Sequence, residues 1–344
     1  MSVSRVIASS MQDEADCTII SAEQYLGKTT SSIIKSIYLF ILRHFPQLYR
    51  NLYRKEREKQ KWSGQFAASY RKRAEKYLIP LLDKEKIDLA IPTHPVPAAV
   101  CSFLPEKYKW ATLVMNYEFH SHWLHPAQPL AFVSTEEIKE EFEKRDFRNC
   151  VVSGIPVSPR FRNPVGKLLL RKSLGMQEDS LYALVGGGGL GLGPLAKVTR
   201  LLEELEIKVV VFCGSNKKLY KKLSKDNDGS NVIILPMIEN SADYIEACDF
   251  YITKPGGVTI TEALTIKTPL VLLPPIPGHE EGNVHFLKKN GIVDGWLKPG
   301  DLKGYLLEIK RDTKILEDMR KRMGNINLPE SDLIIRKELL RILK

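Results

Sequence analysis

The sequence predicts an α/β protein with two domains. From Ile87 onward, short apolar runs alternate with helical segments, which is the pattern of parallel sheets covered by helices. A segment rich in proline and glycine, Ser153 to Phe161, interrupts this alternation and is typical of an interdomain linker. The length of 344 residues fits two separate hydrophobic cores.

Composition narrows the range of partners. Apolar residues make up 43% of the chain and charged residues 27%, as in an ordinary globular protein. The net charge of +10 predicts an anionic partner: a membrane surface, a nucleic acid or an anionic cofactor. The five cysteines are scattered without CxxC spacing, which indicates a reducing cytosol and argues against structural zinc. Since neither a signal peptide nor a membrane span is recognisable, we expect a soluble or peripheral protein.

The beginning of the chain departs from the usual order of an α/β domain. Val3 to Met11 predicts a helix and Cys17 to Ile20 a strand, whereas a strand and a glycine-rich turn usually come first. The first glycine is Gly27. We therefore expect either that this domain lacks its first strand or that the chain begins late.

A long helical stretch follows. Apolar residues from Ile34 to Leu52 recur at helical spacing, and Pro46 predicts a kink. We expect this stripe to pack into the core, with its basic face in solvent. Basic and aromatic residues crowd the segment Arg43 to Lys76, which favours contact with an anionic membrane surface. Nucleic acid is not an expected partner, because no recognisable nucleic-acid module accompanies the basic patch.

Polar side chains of the first half follow predicted strands. These strands are Leu89 to Ile91, Thr112 to Met115, Leu130 to Val133 and Cys150 to Val152. Ser134 is the predicted cap of a helix that runs to Arg145. Glu118 and four histidines lie at the carboxyl ends of strands, where open α/β sheets bind ligands: His94, His120, His122 and His125. The spacing of the last three does not bring their imidazoles onto one helical face, so no metal site is expected.

The second half repeats the alternation and contains a glycine-rich loop. The loop Gly186 to Gly193 follows the predicted strand Leu181 to Val185, and its part from Gly186 to Gly191 formally fits GxGxxG. A dinucleotide site would need an acidic residue after the next strand, Val209 to Phe212, where Cys213-Gly214-Ser215-Asn216 stands instead. A diphosphate or a sugar is therefore favoured over NAD. Six glycines in eight residues argue against a turn that is glycine-rich only for tight packing.

The stretch from Ile252 to Leu264 is central to the prediction. It indicates a strand end (the predicted strand is Phe250 to Thr253), a Pro-Gly-Gly turn and the first turn of a helix, which together form a phosphate-binding site. A capping box between Thr259 and Glu262 is an equally good interpretation of the local sequence. The neighbouring strands Val232 to Leu235 and Leu270 to Leu273 place it in a parallel sheet.

A polar loop follows the last of these strands. His279-Glu280-Glu281-Gly282-Asn283 could hydrogen-bond sugar hydroxyls or could be a solvated loop. Its predicted position on the same sheet edge as the Pro-Gly-Gly turn favours the sugar.

Together these residues resemble one family. The glycine-rich loop, Cys213 to Asn216, Thr253 to Ala263 and Pro277 to Asn283 are similar to the nucleotide-sugar half of GT-B glycosyltransferases. The subgroup is that of monogalactosyldiacylglycerol synthases and processive diacylglycerol glucosyltransferases, with the lipid II GlcNAc transferase more distant. Tyr117-Glu118-Phe119 with His122-Trp123 and Ser153 to Val157 are similar too, so the resemblance covers roughly Cys17 to Leu328.

The resemblance implies a fold and a reaction. The fold is GT-B, with two Rossmann-like domains facing a cleft: residues 1–155 for the lipid acceptor and 156–328 for the nucleotide sugar, followed by a helix in 329–344. The reaction is an inverting, metal-independent transfer of a hexose from a UDP-sugar to diacylglycerol or a related lipid, without a cofactor. Such a protein is expected on the cytoplasmic, inner face of the cell membrane.

The resemblance also implies the donor-binding residues. Backbone N–H groups at the start of the helix would hold the diphosphate: Gly256, Gly257, Val258 and Thr259. Glu262 would bind the ribose hydroxyls, while Glu280 and Asn283 would face the sugar. Residues of two loops would line the cleft: Gly187, Gly188, Gly214 and Asn216. Helix-end dipoles stabilise the leaving UDP without a cation.

Two features depart from the family pattern. The family carries a Gly-x-Gly-His turn after its first strand, whose histidine is the favoured base for the acceptor hydroxyl; here its place would fall before Met1. The family also carries Asp at the position of Glu118 and Gln at that of His279. Glu118 and His120 are therefore the candidates for the base.

Two alternatives stay open. One is a catalytically impaired or truncated homologue that binds UDP-sugar or lipid without turnover, and the other is a nucleotide-sugar 2-epimerase of the same architecture. The sequence specifies neither the sugar, nor the acceptor lipid, nor the oligomeric state.

Overall fold

The protein divides into two compact units. The computed structural model describes residues 3–21, 24, 27–57, 65–125, 128–227, 229, 231–278 and 280–343. The first unit lies within residues 2–156, 276–279 and 329–344, and the second unit comprises residues 157–275 and 280–328. Residues 58–64 of the basic and aromatic segment, together with His279, lie outside the described residues, as does the side chain of His122.

The first unit combines helices with two small parallel sheets. Its helices are α1 (Val3–Ser10), α2 (Lys28–His44), α3 (Pro46–Arg57), α4 (Gln65–Arg73), α5 (Ile79–Lys84), α6 (Pro95–Cys101), α7 (Glu136–Glu143) and the C-terminal helix α16 (Ser331–Leu343), with a π-helical turn at Ala74–Leu78 and a 3₁₀ turn at Ser121–Trp123. Its strands are β1 (Leu89–Ala90), β2 (Lys109–Trp110), β3 (Thr112–Leu113), β4 (Ala131–Val133) and β5 (Cys150–Val152). β1 pairs with β2, and β3, β4 and β5 form a second sheet. The C-terminal helix α16 packs against α1.

Three local predictions for this unit are wrong. Cys17 to Ile20 forms no strand, because a four-residue apolar run does not by itself select strand over irregular chain. Thr135, not Ser134, caps α7 by accepting a hydrogen bond from the Ile138 N–H. The Ser134 hydroxyl instead donates to the Asn116 carbonyl over 2.6 Å, which ties two strand ends together.

The third concerns the predicted apolar stripe. The helical stretch breaks at Phe45, just before Pro46, as the missing N–H of proline predicts. The stripe was expected in the core, yet Ile37, Phe45 and Leu48 are 53%, 50% and 52% exposed. Helical periodicity identifies an apolar face but does not say what covers that face.

The second unit is a five-stranded parallel sheet with helices around it. Its strands are β6 (Tyr182–Gly186), β7 (Lys208–Phe212), β8 (Val232–Leu235), β9 (Phe250–Thr253) and β10 (Leu270–Leu272), in the order β10-β9-β6-β7-β8. Its helices are α8 (Lys167–Ser173), α9 (Leu195–Glu204), α10 (Lys217–Asp226), α11 (Ser241–Ala247), α12 (Gly257–Ile266), α13 (Glu281–Lys289), α14 (Leu302–Arg311) and α15 (Lys314–Gly324), with a 3₁₀ turn at Pro159–Phe161. The central strands are continuous apolar runs because both faces of the sheet are covered.

The register of this sheet determines which loops are neighbours. Gly186 at the end of β6 pairs with Thr253 at the end of β9 and with Phe212 at the end of β7. Thr253 pairs on its other side with Leu272 of β10. The loops after β6, β7, β9 and β10 therefore leave the sheet side by side at its carboxyl edge.

Candidate functional site

The glycine-rich loop after β6 is folded tightly on itself. Gly187 is buried, and a Cβ there would overlap the backbone of Leu192, whose N–H donates to the Gly187 carbonyl over 3.1 Å. Gly191 has φ +58°, and a Cβ there would overlap the Cys213 carbonyl. Part of the glycine content thus serves close backbone packing. Gly188 differs, because the atoms nearest its absent Cβ belong to the Lys254 side chain, at 3.5 and 3.6 Å.

The loop after β7 is tied to the glycine-rich loop. Gly214, with φ +55°, lies so close that a Cβ would stand 2.6 Å from the Gly189 carbonyl. Asn216 accepts from the Leu219 N–H over 3.0 Å as the N-cap of α10, and its amide donates to the Gly191 carbonyl over 3.2 Å. Since both ends of the Asn216 amide contact the protein, its observed role is to join the two loops. Its predicted contact with a donor stays a prediction.

The turn after β9 leads into α12 with free backbone N–H groups. The N-cap residue is Gly256, which has extended backbone angles and no side chain with which to cap. The N–H groups of Gly257, Val258 and Thr259 therefore have no intrahelical acceptor. They lie at the positive end of the helix dipole, an arrangement that suits a phosphate. The Gly256 N–H, which was predicted to hold the diphosphate with them, donates instead to the Lys254 carbonyl over 2.9 Å.

The capping-box interpretation of this helix is wrong. Thr259 lies in the first turn of α12, three residues after the N-cap, and Glu262 lies one turn further along. Glycine at position 256 lets the helix begin earlier than the Thr-x-x-Glu pattern predicts. Glu262 follows Val258 by four residues and so shares its face of the helix. Burial raises the pKa of the Glu262 carboxyl to about 7.

Lys254 is a site residue that the sequence analysis missed. Its side chain is 16% exposed and its Nζ forms an ion pair with Oε1 of Glu280, whose side chain is 3% exposed. The same Nζ lies 3.5 Å from the position that a Cβ at Gly256 would occupy and 3.6 Å from that at Gly188. The ammonium thus stands between the two glycine turns. The sequence signal that could have identified Lys254 is its position directly after a buried strand and directly before Pro-Gly-Gly.

Glu280 and Asn283 hold the loop after β10 near this turn. Glu280 is the N-cap residue of α13 and is 2% exposed. Asn283 is 1% exposed, and its amide donates to the Pro255 carbonyl over 2.9 Å. The predicted sugar-side residues are therefore brought together with the start of α12. Their contacts with a sugar stay a prediction.

The two candidate bases lie in the first unit. His120 is 2% exposed, its ring lies 4.0 Å from that of Tyr53 between centroids, and its Nε2 lies 3.1 Å from the Tyr53 carbonyl. Since a carbonyl only accepts, Nε2 carries a proton in this contact. Glu118 is half-buried.

No metal centre is evident in the part of the chain that the structure describes, where no group of three His, Cys, Asp or Glu side chains could hold an ion. Metal independence itself stays a prediction. Within the same described residues, no helix has the length and apolarity to cross a membrane.

Comparison with known families agrees with these features. Residues 1–157 match the family model for monogalactosyldiacylglycerol (MGDG) synthase, and residues 194–325 match the glycosyltransferase family 28 C-terminal domain. A processive diacylglycerol beta-glucosyltransferase of Staphylococcus carnosus is 28% identical over 323 residues, which are 91% of this chain and 81% of that protein. The enzyme of the same name from Staphylococcus aureus is 30% identical over 271 residues, or 76% and 68% of the two chains.

Solved structures confirm the predicted GT-B fold. MurG of Acinetobacter baumannii matches with a TM-score of 0.51 at 17% identity, over 79% of this chain and 77% of that one. WaaG, a glycosyltransferase involved in lipopolysaccharide biosynthesis, matches with 0.53 at 14% identity, over 78% and 82%. A protein of Listeria monocytogenes that is named as a putative UDP-N-acetylglucosamine 2-epimerase also matches, with a TM-score of 0.53 at 13% identity over 80% of this chain and 78% of that one. Fold alone therefore does not separate transferase from epimerase.

The family match does distinguish a transferase from an epimerase. The chain is 30% identical to the S. aureus transferase across more than two thirds of that enzyme. It also has the glycine turns, the uncapped start of α12 and the buried Glu280. This chain is a glycosyltransferase and belongs to the family of the monogalactosyldiacylglycerol synthases and the processive diacylglycerol beta-glucosyltransferases.

Proposed function

We propose that this protein transfers a hexose from a UDP-sugar to diacylglycerol or a closely related lipid at the cytoplasmic face of a membrane. The observation that carries the proposal is the start of α12, where the N–H groups of Gly257, Val258 and Thr259 lack intrahelical acceptors and Lys254 lies beside Gly256. A diphosphate matches this arrangement in charge and in acceptor oxygens. The names of the S. carnosus and S. aureus relatives support diacylglycerol as acceptor.

The proposed mechanism is a single displacement. The acceptor hydroxyl attacks the anomeric carbon, the bond from that carbon to the diphosphate oxygen breaks, and the configuration inverts. Negative charge grows on the leaving UDP, and the amide groups of α12 stabilise it without a metal ion. The hydroxyl proton passes to a base, for which Glu118 and His120 stay the two candidates, since a histidine that donates from Nε2 keeps a basic Nδ1.

A row of exposed apolar residues supports membrane contact. Ile33, Ile37 and Phe40 on α2 are 53%, 53% and 56% exposed, and their spacing places them on one helical face. Phe45 and Leu48 continue the row at the junction with α3, where the Phe40 and Phe45 rings lie 6.0 Å apart between centroids. Exposed Arg54 follows on α3. Apolar side chains next to basic ones favour the boundary between lipid head groups and acyl chains.

The decisive experiment combines the purified protein with anionic liposomes that contain diacylglycerol and with a panel of UDP-sugars. The proposal predicts a glycolipid product with at least one UDP-hexose. Binding of UDP without product would favour an impaired homologue, and release of an epimerised sugar would favour the epimerase. If UDP does not bind, all three interpretations fail.

A paired substitution tests the membrane surface. Ile37→Ser with Phe40→Ser should weaken binding to anionic vesicles by about tenfold or more, because burying one large apolar side chain contributes about 1.5–3 kcal/mol. Leu307→Ser, at a residue of the second unit that is 47% exposed, is the matched control and should leave vesicle binding unchanged. Equal binding by the double variant and the control would contradict the proposed surface. Co-sedimentation with vesicles measures both.

A further inference from the structure

The ion pair between Lys254 and Glu280 is more than a structural contact. Both side chains are largely removed from solvent, at 16% and 3% exposure, and they come from different loops, 26 residues apart. Desolvating two charges offsets most of their attraction, so such a pair contributes little net stability. Its position at the carboxyl edge, where parallel sheets bind ligands, indicates another role.

The ammonium of Lys254 lies beside the start of α12, where the proposed function places the diphosphate. It stands within 3.6 Å of the space left by the absent side chains of Gly188 and Gly256. Gly256 is also the N-cap of α12, so the N–H groups of its first turn approach the same space. A phosphate held by those groups would therefore reach Lys254 at ion-pair distance.

We propose that Lys254 exchanges partners when the donor binds. Without donor it pairs with Oε1 of Glu280; with donor it pairs with the diphosphate, and the released Oε1 accepts a hydrogen bond from a hydroxyl of the hexose. Lys254 is thus a donor-binding residue that couples the diphosphate to the sugar. This inference rests on the proposed function, because it requires a UDP-hexose at this edge.

The exchange has a consequence that distinguishes UDP from UDP-glucose. UDP alone must displace Glu280 from Lys254 but offers no hexose hydroxyl in return. UDP-glucose offers both groups. Removing the charge of Glu280 should therefore strengthen binding of UDP and weaken binding of UDP-glucose relative to UDP.

Calorimetric titration of four proteins tests the exchange: wild type, Glu280→Gln, the double variant Lys254→Met with Glu280→Gln, and Lys221→Met as a control at an exposed lysine of α10. Glu280→Gln should raise the affinity for UDP a few-fold and lower the ratio of UDP-glucose to UDP affinity. The double variant should bind UDP on the order of tenfold more weakly than Glu280→Gln, since it lacks a charge-assisted hydrogen bond. The double variant leaves neither charge of the pair behind, whereas Glu280→Gln leaves the Lys254 ammonium, 16% exposed, without its carboxylate. Urea unfolding of both variants therefore checks that each is folded before it is titrated.

Two results would overturn the exchange while leaving the proposed function intact. One is equal UDP affinity in Glu280→Gln and the double variant, which would place Lys254 outside the diphosphate site. The other is an equal loss of UDP and UDP-glucose affinity in Glu280→Gln, which would make Glu280 a structural residue. Absence of UDP binding to wild-type protein would instead contradict the proposed function itself.

Discussion

The two edges of the five-stranded sheet are built in opposite ways. The amino edge is the one formed by the amino ends of the strands. There Asp249 precedes β9 and accepts hydrogen bonds from Nη2 of Arg171 and from the Tyr182 N–H, both over 2.7 Å. Arg171 is 2% exposed and also donates to three carbonyls. These belong to Ala247, Glu178 and Ser180. Lys167 pairs with the same carboxylate. Here the charged groups have partners within the protein.

At the carboxyl edge, some backbone N–H groups of the described residues have no intrahelical partner, and Lys254 has a partner that a ligand can replace. The first N–H groups of α12 have no intrahelical acceptor, and Gly188 leaves a gap beside Lys254. Buried charged groups therefore serve two purposes within one sheet. A closed network positions α8 against the strands, whereas an open set of donors is available to an anion.

The largest expected effect is a loss of stability at the amino edge. Asp249→Asn leaves Arg171 buried without its counter-charge, so the free energy of unfolding should fall by about 3–5 kcal/mol. Asp226→Asn breaks an exposed pair with Arg200, where the side chains are 59% and 40% exposed, and should cost no more than about 1 kcal/mol. Urea unfolding measures both. Similar losses in the two variants would show that the amino edge is not a closed network.

Alanine substitutions at two glycines distinguish the cost of close backbone packing from the cost of a left-handed backbone conformation. Gly191 and Gly175 both have positive φ, +58° and +67°, but only Gly191 has backbone atoms where a Cβ would go. Gly175→Ala, next to α8, should cost about 1–2 kcal/mol for the left-handed conformation alone. Gly191→Ala should cost about 1–3 kcal/mol more, because the loop must shift away from Cys213. If urea unfolding gave equal losses of unfolding free energy for the two variants, the glycine-rich loop would be able to shift away from Cys213 at little cost.

The smallest of these effects is a pH dependence at the carboxyl edge. Burial raises the pKa of Glu262 to about 7, and the predicted hydrogen bonds from the ribose hydroxyls to this carboxyl would be stronger when it is ionised. UDP-glucose affinity should therefore rise by up to about tenfold between pH 6 and pH 8, and Glu262→Gln should show no such rise. UDP-glucose is the suitable probe because its diphosphate has no second ionisation in this range.

The same pKa gives an independent measurement on the protein without donor. A carboxyl whose pKa is raised from 4.5 to about 7 binds its proton more tightly in the folded state than in the unfolded chain. The free energy of unfolding should therefore fall as pH rises from about 4.5 to about 7, and Glu262→Gln should lack that component. A pH-independent difference between the two proteins would contradict the burial of this carboxyl.

Regular elements and donor motifs were predictable where sequence and tertiary packing agree. β8 and β9 have the predicted bounds because each is an apolar run flanked by turn residues. Helix α12 was predicted correctly but its cap was not, since Gly256 moves the start ahead of Thr259. The exposure of Ile37 and Phe45 could not be predicted, because an exposed apolar helix face has the same sequence periodicity as a buried one.

The polar contacts between loops could not be predicted from the sequence. Lys254 and Glu280 lie 26 residues apart, and nothing in either local pattern indicates that they pair. The join between Asn216 and Gly191 likewise depends on the register of β6 with β7. Such contacts follow from strand order and twist, which local propensity does not encode.

The central claim is that backbone N–H groups at the start of α12 hold the donor diphosphate. The most direct test compares UDP affinity in Val258→Pro, which lacks one of these N–H groups, with Val258→Ala, which keeps it. Proline is tolerated in the first turn of a helix, so α12 should persist in both variants. We predict that Val258→Pro binds UDP on the order of tenfold more weakly than Val258→Ala, the loss of one charge-assisted hydrogen bond. Equal affinities in the two variants would contradict the claim.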